Sequence, residues 1–126
     1  MAELKSDLTT NEYTRIFYED KADQRYNAPH NFVVVAYGQQ PPFKLATIHF
    51  QEGPIRECDV NGVANEDLIA MVICRLEHFQ DSPYKCRENA IAITKLQETL
   101  MWLRKRTNGR ETRGVALRLE FGFLEL

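Results

Sequence analysis

The sequence predicts an α+β fold in which a small antiparallel N-terminal β-sheet is followed by a C-terminal antiparallel helical hairpin. From about residue 11 to residue 62, apolar and polar residues alternate in short runs, as they do in half-buried strands. From Asn65 onward, the apolar residues recur every three or four positions, which is the spacing of one helix face. A chain of 126 residues suffices for one hydrophobic core but not for two, so we expect a single domain over 1–126.

The strands are predicted from runs of β-branched and aromatic residues that turn residues separate. The runs NFVVVAYG at 31–38 and FKLATIHFQ at 43–51 flank the breaker GQQPP, which indicates a hairpin. The segment NEYTRIFYED at 11–20 fits either a strand or a helix with a capping box, and we favour the strand. After a Gly-Pro turn, IRECDV at 55–60 is a candidate for one more short strand.

Two helices are predicted, over 65–80 and 83–108. Asn65 is a suitable N-cap for the first, and the acidic residues that follow it complement the helix dipole. The DSP segment at 81–83 separates the helices, because proline disfavours a helical residue before it and suits the first helical position. So short a connection makes the two helices antiparallel neighbours.

The second helix carries more apolar surface than its partner helix can cover. A heptad-like seam is formed by Cys86, Ala90, Ile93, Leu96, Leu100 and Leu103. Met101 and Trp102 fall outside this seam, so either the sheet or another subunit must cover them. We therefore expect a homo-oligomer that assembles through the helices.

The C-terminal segment returns to alternation. One side of it would present Val115, Leu117, Leu119, Phe121 and Phe123. We expect a final strand over 115–124 that joins the sheet, with an exposed interaction tail as the alternative.

Composition excludes several classes of protein. The longest apolar run, at 32–37, is far too short to span a bilayer, and the first residues lack the apolar core of a signal peptide. The three cysteines and three histidines show no disulfide, zinc or metalloprotease spacing. We expect no metal, no cofactor and no membrane partner, and we expect the cysteines to serve as small apolar residues in a reducing compartment.

Positive charge is concentrated over 104–113. These residues include five cations and one anion, a net charge of +4 in a chain of total charge −2, which leaves −6 for the rest. Arg106, Arg110 and Arg113 are spaced four and three apart, so they share one side if the helix continues. Capping of the helix end is one interpretation, since the dipole favours cations there. Binding of a compact anion is the other, because arginine meets phosphate oxygens in a bidentate manner.

A long nucleic acid is not the expected anion. Proteins that bind a nucleic-acid backbone usually present a wide basic surface and a high isoelectric point, whereas the pI here is about 5.9. A pyrophosphate group fits the local charge better, and a nucleotide would also need a flat ring and an amide nearby.

Several motifs resemble a known family. The series from VNGVANEDLI to LRKRT at 60–107, followed by RETRGV, resembles the helical-hairpin domain of phage anti-defence sponges, which sequester signalling nucleotides of bacterial immunity. The upstream YNAPHNF and FQEGPIRE resemble the group that acts against Thoeris, so the likeness covers about 26–115. The resemblance implies a phage protein in the host bacterial cytoplasm that binds glycocyclic ADP-ribose without turnover and forms a homodimer or homohexamer.

The resemblance also implies roles for five residues. Phe79 would stack on adenine, and Asn89 in the C-R-E-N motif would hydrogen-bond the ligand. Arg106 and Arg110 match the arginines of R-T-x-x-R and would clamp the diphosphate. Arg25, just before YNAPH, would reach the same pocket from the N-terminal layer.

Three other functions remain open at this stage. The protein would block CBASS if its ligands were cyclic di- or trinucleotides, which related sponges hold. It would be an enzyme if it cleaved its nucleotide, although the sequence contains no paired histidines and no convincing nucleophile and base. It would be a protein-interaction module if the apolar seam bound a partner and the arginines only capped the helix.

Overall fold

The computed structural model describes residues 1–9, 11–38 and 40–112, with side chains described as far as residue 109. It contains an antiparallel sheet followed by helices, which confirms the predicted α+β class. The elements are β1 (Ala2–Leu4), β2 (Thr14–Tyr18), β3 (Asn31–Ala36), β4 (Lys44–His49), α1 (Ile55–Cys58), α2 (Asn65–Gln80) and α3 (Arg87–Thr112), with a 3-10 turn at Lys21–Asp23. The strand predicted over 115–124 lies outside the described residues, as does Arg113.

The sheet is a meander in which each strand pairs with the next along the chain, in the order β1-β2-β3-β4. The ambiguous segment at 11–20 does contain a strand, β2, because Ile16 lies opposite Val34 in a β-branched pair. At the end of the sheet nearest the helices, the ring of Phe32 lies 5.5 Å from that of Phe50, edge to face.

The prediction of a strand at 55–60 is wrong, because the chain forms the single-turn helix α1 there. The backbone N–H groups of Glu57 and Cys58 donate to the carbonyl oxygen of Pro54 at 3.0 and 2.8 Å. Gly53 and Asp59, on either side of the turn, adopt left-handed φ values of 77° and 59°. A positive φ is incompatible with a regular strand, so no strand can continue through either residue.

Helix α2 covers the residues predicted for it, but the residue that caps it is Ala64. The backbone N–H of Ala64 donates to the Asp67 carboxylate at 2.8 Å, which is the backbone half of a capping box. No helix in the described part of the chain is long and apolar enough to cross a membrane.

Helix α3 begins at Arg87, four residues later than predicted. The side-chain amide of Gln80 binds the backbone of Cys86, accepting from its N–H and donating to its carbonyl oxygen, both at 3.0 Å. Because the Gln80 side chain binds the connection between the two helices, α3 begins only after Cys86. Cys86, predicted to lie in the apolar seam, instead caps α3, since its sulfur accepts from the Asn89 backbone N–H at 3.4 Å.

The helices leave much apolar surface uncovered. The helices α2 and α3 pack on each other. Ile73 of α2 is 8% exposed, whereas Met101 and Trp102 of α3 are 67% and 66% exposed. Cys74 and Cys86 are also exposed, so the expectation that they pack as small apolar residues is not met within one chain.

Candidate functional site

A cavity of about 360 Å³ lies where the sheet meets the base of the hairpin, meaning the start of α2 and the end of α3. Residues on both sides line this base cavity, among them Tyr26, His30, Phe32, Phe50, Asn65, Glu66 and Arg106. Its volume lies in the range of small-molecule sites, and its walls combine aromatic rings with the guanidinium group of Arg106.

Hydrogen bonds made by His30 and Glu19 hold the turn that carries Arg25 and Tyr26 in place. His30 is 7% exposed, and its Nε2 lies 2.5 Å from the Arg25 carbonyl oxygen, which can only accept, so Nε2 carries the proton. The Glu19 carboxylate accepts from the backbone N–H groups of His30 and Asn31 and from the Asn31 amide. These hydrogen bonds, that of the His30 N–H above all, lower the pKa of Glu19. The carboxylate therefore stays ionised as an acceptor at neutral pH.

The three successive cations of α3 do not share a direction, because consecutive helical residues lie about 100° apart. Arg106 lines the base cavity. Arg104 lines a neighbouring cavity of about 470 Å³ together with Met101 and Thr107. The Lys105 ammonium lies 5.0 Å from the centre of the Trp102 ring. Arg106 is therefore the one of these three cations that lines the base cavity.

Arg110 follows Arg106 by one helical turn, and its backbone belongs to α3. This i, i+4 spacing places both residues on one face of the helix. The side chain of Arg110 lies outside the described residues.

Phe79 and Asn89 lie at the other end of the hairpin, its tip, where α2 ends and α3 begins. A cavity of about 480 Å³ at the tip is lined by Arg75, His78, Phe79, Ser82 and Tyr84. The Phe79 ring is 37% exposed and carries the Arg75 guanidinium 5.4 Å from its centre. Asn89 is half-buried in the first turn of α3.

The predicted site residues therefore form two groups. Arg106 and the backbone of Arg110 lie at the base, while Phe79 and Asn89 lie at the tip. Arg25 directly precedes Tyr26 but does not itself line the base cavity. The 17 positions from Asn89 to Arg106 correspond to about 26 Å of helix at about 1.5 Å per residue. A single chain therefore does not bring the predicted stacking ring, that of Phe79, beside Arg106.

Sequence reasoning did not select Tyr26, His30 or Glu66 as lining residues of the base cavity. Two of them belong to the YNAPH motif, whose turn residues could have indicated a side chain directed into a site. Among the described residues, no three His, Cys, Asp or Glu side chains are grouped so that they could hold a metal ion.

Comparison with known proteins gives two findings. Residues 45–108, from β4 to near the end of α3, match the family described as Acb2/Tad1, hairpin domain. Thoeris anti-defense 1 of Bacillus phage SBSphiJ7 is 52% identical over a 136-residue alignment that covers 91% of this chain and 96% of the relative. These matches confirm the resemblance found in the sequence motifs: the chain belongs to the Acb2/Tad1 hairpin family, in the group of the Thoeris anti-defense proteins.

Proposed function

We propose that this protein blocks Thoeris defence by binding glycocyclic ADP-ribose in the cytoplasm of the infected bacterium and holding it without turnover. The observation that carries the proposal is the base cavity, in which Arg106 stands among aromatic rings in a space of nucleotide size. The name of the phage relative, Thoeris anti-defense 1, supports the biological role. The choice of glycocyclic ADP-ribose as the ligand rests on the resemblance of the sequence motifs.

The complete site, in this proposal, needs two copies of the chain. Phe79 and Asn89 at the tip are too far from Arg106 to hold one small molecule with it. Two hairpins packed antiparallel would bring the tip of each copy beside the base of the other. The exposed Met101 and Trp102 supply apolar surface for that packing. We therefore propose a homodimer as the binding unit, whether or not dimers associate further into a hexamer.

Such a site can bind tightly enough to act as a sponge. Charge-assisted contacts from arginine contribute about 1.5–3 kcal/mol each, and stacking of a base on an aromatic ring about 1–3 kcal/mol. A ligand of a few dozen atoms at about 0.3 kcal/mol per atom reaches about 10 kcal/mol, which is nanomolar affinity. Sequestration needs only this affinity and an abundant protein.

The test is to recover the ligand. Purified protein is mixed with glycocyclic ADP-ribose in equal amounts, free ligand is removed, and the complex is heated to denature the protein. We expect mass spectrometry to find the intact nucleotide in the released fraction. Recovery of a linear or hydrolysed product would favour the enzyme instead, and absence of any captured nucleotide would favour the protein-interaction module.

Cyclic di- and trinucleotides are the second candidate ligands. The resemblance extends to sponges that blunt CBASS, and the cavity beside Arg104 provides a separate space of about 470 Å³. Calorimetry with glycocyclic ADP-ribose already bound separates the two cases. A cyclic trinucleotide that still binds has its own pocket, whereas one that is excluded competes for the base cavity.

A further inference from the structure

We propose that the ring of Tyr26 packs against a ribose of the bound nucleotide, next to the diphosphate that Arg106 holds. This inference rests on the proposed function and adds to it a ligand contact at the base of the hairpin. Nothing in the family resemblance assigned a role to this side chain.

Tyr26 lines the base cavity together with Arg106, and it is 47% exposed. The Arg25 guanidinium lies 5.9 Å from the centre of its ring. A half-exposed aromatic ring that shares a cavity with a guanidinium group provides what a nucleotide needs, a flat apolar surface beside a cation.

The hydroxyl group of Tyr26 contacts a residue that does not line the cavity. Its oxygen lies 3.3 Å from the sulfur of Cys58, which is not among the residues lining the cavity. This contact with Cys58 raises the pKa of the Tyr26 hydroxyl, so the ring stays uncharged near an anionic ligand. The ring rather than the hydroxyl is what Tyr26 offers the cavity.

Gly53 makes room for that arrangement. A Cβ atom at Gly53 would lie 2.7 Å from Tyr26 Cζ and 2.7 Å from the Cys58 sulfur, so any side chain there would displace the ring. Gly53 also has a φ of 77°, which only glycine adopts readily. The ring is thus fixed by a close approach to the backbone and by one sulfur contact.

The backbone of this turn indicates a functional reason for the tyrosine. Tyr26 and Asn27 adopt left-handed φ values of 53° and 68°. Asparagine tolerates that conformation, but a bulky aromatic residue seldom adopts it. The carbonyl oxygen of Arg25 is tied to His30, which holds the turn in place. A strained turn that leaves an aromatic ring half exposed gains little stability from that ring, so a ligand contact explains it better.

The chemistry of the ligand identifies the group that meets the ring. In any ADP-ribose derivative, each phosphate of the diphosphate carries a ribose, so a sugar flanks the phosphates on both sides. A guanidinium contact at Arg106 therefore brings a ribose to the neighbouring surface, whichever way round the ligand lies. The electron-rich face of an aromatic ring attracts the C–H bonds of a sugar.

The experiment measures affinity for glycocyclic ADP-ribose by calorimetry in four variants. Tyr26→Asn removes the ring but suits the left-handed backbone, and Tyr26→Phe keeps the ring without the hydroxyl. Gly53→Ala should push the ring aside. Gly38→Ala is the matched control, because Gly38 has a φ of 84° but nothing within 4 Å of an added Cβ. Thermal unfolding of every variant establishes that it is folded.

We expect Tyr26→Asn and Gly53→Ala to weaken binding about ten-fold, and Tyr26→Phe and Gly38→Ala to stay within about two-fold of the unmodified protein. Inorganic pyrophosphate, which has no ribose, should bind Tyr26→Asn and the unmodified protein equally. Unchanged affinity of Tyr26→Asn for glycocyclic ADP-ribose would overturn the inference and leave the proposed function intact. Failure of the unmodified protein to bind the nucleotide would overturn both.

Discussion

The two ends of the helical hairpin are built differently. At the base, the sheet, the turn around Tyr26, the start of α2 and the end of α3 line one cavity, and His30 and Glu19 hold that turn. At the tip, by contrast, a short connection is held mainly by the Gln80 amide, and Phe79 is covered on one side by Arg75. The two ends present different groups: aromatic rings beside Arg106 at the base, and Phe79 and Asn89 at the tip. If the predicted residues of both ends bind one ligand, as we propose, the site must be shared between two copies of the chain.

The largest effect is expected at the base. We predict that Arg106→Ala lowers affinity for glycocyclic ADP-ribose by up to about 100-fold, since the variant loses a charge-assisted contact with the diphosphate. Arg110→Ala should act similarly. Arg104→Ala is the control, because that neighbouring cation lines a different cavity. Calorimetry measures all three, and near-normal binding by Arg106→Ala would contradict the diphosphate clamp.

Mixing subunits tests whether the tip of one copy completes the base of another. Phe79→Ala and Arg106→Ala chains with different tags are expressed together, and the mixed dimer is purified through both tags. One of its two composite sites would then contain both native residues, so we expect about one nucleotide bound per dimer instead of two. Each variant alone should bind weakly. A mixed dimer that binds no better than either variant would place the complete site within a single chain.

The apolar surface beside the base should determine assembly. We predict that Trp102→Glu shifts the protein to a lower mass in light scattering and reduces nucleotide capture in parallel, because a buried, unpaired carboxylate would destabilise the interface. Leu8→Glu is a suitable control, since Leu8 is 96% exposed and lies outside the hairpin. Retention of the native mass in Trp102→Glu would exclude this surface from the interface.

The smallest effect concerns the support of the base. The pKa of Glu19 is lowered in the folded chain, from 4.5, so its hydrogen bonds stabilise the fold fully above that pH. This stability is lost as the pH falls through the lower folded pKa. We expect the free energy of unfolding of Glu19→Gln to depend less on pH below 4.5 than that of the unmodified protein, in denaturant titrations. Identical pH profiles would remove Glu19 from the support of this turn.

Much of the fold follows from local patterns in the sequence. The bounds of α2 and the strands β2, β3 and β4 follow from periodicity and turn residues. Two errors arose where a few contacts override the pattern. Gly53 and Asp59 have positive φ values, and the residues between them form α1 instead of the predicted strand. The Gln80 side chain binds the backbone of Cys86, and α3 begins after that residue instead of at residue 83. The alternation of residues at 55–60 does not reveal the backbone conformation of Gly53 and Asp59. The preference of proline for the first helical position, which predicted a helix start at residue 83, takes no account of the Gln80 side chain.

Candidate site residues could be selected from the sequence, but their arrangement in space could not. Arg106 could be selected because arginine at helical spacing indicates an anion site, and Phe79 through the family motif. The distance between Arg106 and Phe79 follows from the length of the helices, which the sequence predicts. How two copies would bring these residues together depends on packing between chains. The sequence patterns do not indicate Tyr26, because the placement of its ring depends on Gly53 and Cys58, which lie about 30 positions away in the sequence.

The length of α3 has a consequence for how such a protein could change. If two copies share their sites, the helix acts as a ruler, because its 26 residues fix the offset at which one tip meets the other base. Insertion or deletion of a single residue would rotate the two ends by about 100° relative to each other, whereas a heptad would preserve the facing but shift the offset by about 10 Å. New specificities are therefore expected to arise by substitution at either end, with the spacing between them unchanged.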